Sequence, residues 1–202
     1  KSGGRPFPTA LCASINNEVV HAPAIPARVL NGGDILGIDI GMEYPFKKGE
    51  QGFYTDMAET VAVGKISEQA KKLIKVTREC LDLAIRQMKP KNTLNDIARA
   101  VQTHAEKNGF SVVRDLVGHG VGKAVHEAPN VPNFVIDNEF DFVLEPGMVL
   151  AVEPMVNIGS SKIKTGKDGM SIMTADGELS AHFEHTIAIT EKGHEVLTQL
   201  SI

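Results

Sequence analysis

Four carboxylates and one imidazole stand where such groups are costly to place. Asp39 lies in Gly37-Ile38-Asp39-Ile40-Gly41, and Asp56 in Tyr54-Thr55-Asp56-Met57-Ala58. Glu153 is the only charge in the run Met148 to Val156, and Glu184 sits in a second apolar run, Ala181 to Ile189. A carboxylate inside an apolar strand needs a partner, a proton or a cation. Two that converge repel each other, and a divalent cation is the simplest remedy. His119, held between Gly118 and Gly120, adds an imidazole. Such a set suits two hard or borderline divalent cations that share carboxylates. A pair of this kind can hold a hydroxide and polarise a carbonyl. No cysteine is required, which argues against structural zinc. For the Asp39–Asp56 stretch alone, an ordinary polar edge hairpin is the competing reading, and the second half of the chain decides.

The elements that must position these groups can be read from spacing. Two strands, one with Asp39 and one with Asp56, flank a polar Gly- and Lys-containing loop, Glu43 to Gly52, which reads as a hairpin. Alternation would aim both aspartates at one face. Leu11 to Val20 reads as two short strands around an Asn-containing turn, with His21 at the strand end before the rigid Ala22-Pro23-Ala24-Ile25-Pro26. Ser67 is a helix N-cap, and Ala70, Leu73, Ile74, Leu81, Ala84, Ile85 and Met88 form one buried stripe before Pro90. Thr93 to Asp96 has the form of a capping box, opening a second helix that stops at Gly109. Both helices read as cover for a sheet, without chemistry of their own. Pro154 should end regular pairing beside Glu153. Asp176-Gly177 reads as the turn of a hairpin between Gly169–Ala175 and Leu179–Ile189. The two carboxylate-bearing halves suggest an approximate internal two-fold.

Composition bounds the rest. The 202 residues suit a single domain over 1–202, and 42% apolar with 23% charged residues is ordinary for a globular chain. A net charge of -4, scattered basic residues and no Trp give no platform for nucleic acid. No apolar run approaches the roughly 18 residues of a membrane span. Two cysteines make no disulfide framework, and a reducing cytoplasm fits them. The glycines from Gly118 to Gly122 lack the strand–loop–helix setting of a phosphate loop.

Taken in order, Asn17-Glu18-Val19-Val20-His21, Gly37-Ile38-Asp39, Thr55-Asp56, Gly118-His119-Gly120-Val121-Gly122 with His126-Glu127, Val152-Glu153-Pro154-Met155-Val156 and Phe183-Glu184-His185-Thr186 resemble the successive motifs of type I methionine aminopeptidases, from about Phe7 to the end. The resemblance implies an α+β pita-bread fold, with an antiparallel sheet, covering helices and pseudo-two-fold halves. It implies two divalent ions, cobalt, manganese, iron or zinc. Asp39 would chelate one, Asp56 and Glu184 would bridge, and His119 and Glu153 would complete the other. Glu153 would also handle the proton of the attacking water. His21 would contact the scissile amide and His126 the developing oxyanion. His185 should point to the opposite face of its strand from Glu184.

The implied reaction is removal of the initiator methionine from nascent chains in the cytoplasm, by a monomer, with the ribosome as a candidate contact. No nucleic-acid or membrane partner is implied. An aminopeptidase P or prolidase-like enzyme would use the same five ligands, and a non-catalytic binding homologue would keep the fold alone. The Asp39–Asp56 connection and the segment after His21 are longer than is common in the family. Val125 and Met170 stand where aromatic pocket residues are usual, while Phe7 and Cys12 resemble pocket residues. The family's N-terminal helix pair has no counterpart before the first motif, which would leave apolar sheet surface exposed.

Overall fold

The computed structural model describes residues 6–199; residues 1–5 and 200–202 lie outside the described part. The chain opens with β1 (Cys12–Ile15) and β2 (Glu18–Val20), joined at Asn16, which adopts φ 57°. Such left-handed backbone suits asparagine. The long ribbon β3 (Ile35–Tyr44) and β4 (Phe53–Ala62) follows, then α1 (Glu68–Gln87) and α2 (Leu94–Lys107). Next come β5 (Ser111–Val112), β6 (Gly118–Gly120) and β7 (Glu127–Val131). They precede β8 (Val149–Val152), β9 (Met155–Asn157), β10 (Ile163–Thr165) and β11 (Ile172–Thr174). The described chain ends through β12 (Ser180–His182), β13 (His185–Thr190) and β14 (Gly193–Val196).

All strand pairs are antiparallel. Among the described residues they form four sheets, in the orders β1-β3-β4, β10-β11-β2, β12-β9-β5 and β14-β13-β8-β6-β7. The Ser67 hydroxyl accepts from the Ala70 amide at 3.1 Å, and the Asp96 carboxylate accepts from the Thr93 amide at 2.9 Å. Both helices therefore start where their caps require. Their apolar stripes, with Leu73, Val76 and Cys80 on α1 and Ile97 and Val101 on α2, meet Leu150, Val152, Val156 and Ile187 from the sheets in one core. Among the described residues nothing covers the outer face of β3 in this way: Ile38, Ile40, Met42 and Tyr44 are all exposed.

One expectation fails. The strands on either side of Asp176-Gly177 do not pair with each other. β11 joins β10 and β2, whereas β12 joins β9. The turn between β1 and β2 separates them, since the Thr174 amide donates to the Asn17 carbonyl and the Ser180 amide to the Asn16 carbonyl, each at 2.9 Å. The Asp-Gly turn is thus a corner between sheets.

Candidate metal centre

In the register of β3 and β4, Asp39 faces Ala58 and Gly41 faces Asp56. Opposed residues share a face, and so do residues two apart, so both aspartates project to one side. The ribbon is then docked edge-on to the other half along a seam of even steps. The Thr186 hydroxyl donates to the Asp56 carbonyl and accepts from the Asp56 amide, both at 2.8 Å. Ala58 and Glu184 pair through their backbones. The Thr60 hydroxyl donates to the His182 carbonyl at 2.8 Å and accepts from its amide at 2.9 Å. At both ends of the seam a threonine hydroxyl supplies the bonds the opposing backbone does not. This places Asp56 against Glu184.

His119 comes from β6, squeezed between β7 and β8. A Cβ on Gly118 would lie 2.3 Å from the Ala151 carbonyl oxygen, and one on Gly120 2.2 Å from that of Ala128. The flanking glycines are therefore demanded by neighbouring strands. The His119 Nδ1–H donates to the Gly120 carbonyl at 2.9 Å, which leaves Nε2 a free lone pair facing the site. Glu153 lies at the break between β8 and β9, where its carbonyl accepts from Asn133 Nδ2 at 3.0 Å. Its Oε1 lies 3.5 Å from His119 Nε2 and its Oε2 3.5 Å from His182 Nε2.

Donor atoms of Asp56, His119 and Glu184 lie within 4.8 Å of one another, and all three residues are buried. Glu184 Oε1 has no hydrogen-bond partner among the described residues. An acceptor buried without a donor is expensive. Burial, and then the facing charges of Asp39 and Glu153, push the Asp56 carboxyl up to about 7. Burial and the charges of Glu153 and Asp56 hold Glu184 well above the usual carboxylate range. Oxygen donors that repel one another around an orphaned acceptor, with one free imidazole, fit a divalent cation.

Asp39, Asp56, His119, Glu153 and Glu184 all line one cavity of about 250 Å³, together with His21 and His126. His21 adopts φ 59°, a conformation rare for a side-chain-bearing residue, which turns the chain out of β2. The His126 ring packs against His119 at a tilt of 51°, centroids 4.2 Å apart. Burial holds both His21 and His126 below the usual imidazole range. They are therefore largely neutral near pH 7, able to donate from one nitrogen and accept at the other. A second cavity of about 470 Å³ shares His21, Asp39, Asp56 and His126, and adds Phe7, Cys12, Val125 and Met170. Burial pushes the Cys12 thiol far up, so it packs as a neutral group.

The structure thus brings every sequence-selected site residue to two adjoining cavities. His185 points away, to the Thr198 hydroxyl at 2.9 Å. Three contributors were not selected. Thr60 and Thr186 look like ordinary strand threonines, and no sequence signal marks them. His182 precedes Glu184 by two, and alternation along a strand would have exposed their shared face.

The model of metallopeptidase family M24 matches residues 1–191. A methionine aminopeptidase of Clostridium perfringens is 48% identical over 193 residues, covering 95% of this chain and 74% of that protein. Methionine aminopeptidase 1 of Bacillus subtilis is 47% identical, over 96% of this chain and 75% of its own length. The crystal structure of Thermotoga maritima methionine aminopeptidase superposes with a TM-score of 0.88 at 44% identity, over 94% of this chain and 74% of that one. Prolidase from Pyrococcus horikoshii, at 22% identity and a TM-score of 0.71, shares the fold. The chain is a metallopeptidase of family M24 with the pita-bread fold, and within that family it belongs to the type I methionine aminopeptidases. It is a metal-dependent aminopeptidase, a hydrolase.

Proposed function

We propose that Asp39, Asp56, His119, Glu153 and Glu184 hold two divalent cations, and that His21 and His126 act on the substrate from the same cavity. The reaction is release of methionine from the N-terminus of a polypeptide. The observation that carries the site assignment is the convergence of Asp56, His119 and Glu184 within 4.8 Å, in a cavity also lined by the two neutral histidines. When bound, the cations would supply Lewis acidity and a water acidified toward neutral pH.

Each residue then has a task. Glu153 takes the proton of the attacking water and returns it to the departing amine. His126 donates to the oxygen on which negative charge develops. His21 hydrogen-bonds at the scissile amide and assists departure of the amine. Phe7, Cys12, Val125 and Met170 form an apolar pocket for an unbranched thioether. Residues 1–202 act as one catalytic domain. The proposed setting is the cytoplasm, on nascent chains at the ribosome, with the protein a monomer. The free thiols of Cys12 and Cys80 suit a reducing compartment.

The test uses protein stripped of metal and refilled with manganese or cobalt. Metal-dependent release of methionine from Met-Ala-Ser, with Ala-Pro-Ala untouched, is the expected result. Cleavage mainly before proline would move the activity to the prolidase side of the fold.

A further inference from the structure

His182 is the one ring among the described residues that is buried behind the carboxylates. Among the described residues its Nε2 has no hydrogen-bond partner. It lies 3.5 Å from Glu153 Oε2 and 4.0 Å from Glu184 Oε2, with the side chain 4% exposed. The backbone beneath it is clamped at both amide and carbonyl by the Thr60 hydroxyl. The ring is therefore presented by a held strand rather than by a loop.

Two roles suit an imidazole so placed. As a metal ligand it would share the space where the cations sit. Yet the cavity is lined by Asp39, Asp56, His119, Glu153 and Glu184, and His182 does not line it. It stands on the far side of Glu153, against the oxygen that does not face His119. A separation of 3.5 Å is just beyond a hydrogen bond, and a shift of about half an ångström closes it. Buried donors left without acceptors are costly, and the two atoms within reach are carboxylate oxygens.

Resting on the reading of Glu153 as metal ligand and proton carrier, we propose that His182 is a positioning residue: its Nε2–H donates to Glu153 Oε2 and sets the orientation of that carboxylate. Residues that orient a ligating group in this way commonly alter metal affinity or activity about 10–100-fold when lost. The bond also leaves Glu153 Oε1 as the oxygen turned to the cavity beside His119.

The test compares His182→Gln, which keeps an N–H donor, with His182→Met, of similar length and without one. Manganese-loaded His182→Met should lose about 10–100-fold in kcat on Met-Ala-Ser with KM little changed, and His182→Gln should recover most of it. Equal loss in both variants, or none in His182→Met, would overturn the proposal. Long-range proton–nitrogen NMR spectra of the unmutated, zinc-loaded protein give a reading independent of turnover and of how the variants fold. They should show His182 protonated at Nε2 with a downfield, hydrogen-bonded proton. A bare or metal-bound Nε2 contradicts donation. Glu153→Gln separates the two levels: if it turns over normally, the reading of Glu153 falls and this inference with it. If it is inactive while His182→Met is normal, only this inference fails.

Discussion

The two walls of the cavity are built in opposite ways. The first is the β3–β4 ribbon, with Asp39 and Asp56 on one face and exposed Ile38, Ile40, Met42 and Tyr44 on the other face of β3. The second, with His119, Glu153 and Glu184, belongs to strands that are buried through much of their length under α1 and α2. One wall is a thin ribbon and the other the face of a core. The difference teaches where the stability needed to hold repelling carboxylates resides: in the core wall and in the seam that ties the ribbon to it.

The largest effect should come from the core wall itself. Glu184→Gln keeps the volume and removes the charge, so manganese binding should be lost and turnover should fall at least 10³-fold. Thermal melting of the metal-free protein should be no lower than that of the unmutated chain, because an orphaned, repelling carboxylate has gone. Metal analysis, peptide assay and a melt check the three together.

Breaking the seam comes next. Thr186→Val is nearly isosteric, yet it leaves the Asp56 amide and carbonyl without the hydroxyl that serves both. The expected cost is about 2–4 kcal/mol from the two groups left unpaired, read by urea denaturation, with weaker metal binding. Thr186→Ser should restore most of it.

The pH dependence is smaller and has a definite sign. Asp56 titrates near 7 in the fold against its ordinary value of 3.8. The metal-free fold therefore binds a proton that the unfolded chain releases between those values. Its contribution to stability falls as pH rises toward 7. Between pH 5.5 and pH 8 the metal-free protein should lose more melting temperature, or gain less, than Asp56→Asn, in which the opposing slope of the neutral His21 and His126 is retained, and saturating manganese should shift the unmutated chain's optimum to the higher pH, because the cation binds the ionised carboxylates.

The smallest effect lies on the same ribbon, opposite face. Met42→Lys on exposed β3 should change stability by no more than about 0.5 kcal/mol and leave metal content intact. A larger effect would show that the ribbon's outer face is not the idle side of the wall.

How much of this was legible follows from how local each signal is. The caps at Ser67 and Thr93 announce both helices, and the alternation around Asp39 and Asp56 announces the ribbon and its inward face. The glycines beside His119 mark close packing, although the sequence leaves open whether a strand or a ligand approaches. Non-local features stayed hidden. A turn at Asp176-Gly177 says that the chain reverses, but the Asn16 and Asn17 carbonyls decide which strands it then joins. Thr60 and Thr186 act across more than 100 residues of sequence, so no spacing rule reaches them. His182 lies two residues before Glu184, so period-two alternation places it on the same face, toward the site.

If the two walls close on divalent cations, Asp56 is one of the residues that would hold them. The most direct measurement is calorimetric titration of manganese into stripped protein at pH 7.5, in two buffers of different ionisation enthalpy, beside Asp56→Asn. Binding should release protons, approach two ions per chain, and be lost in Asp56→Asn despite an intact melt. Binding of equal strength in the variant, or none in the unmutated chain, would contradict closure of the two walls on cations.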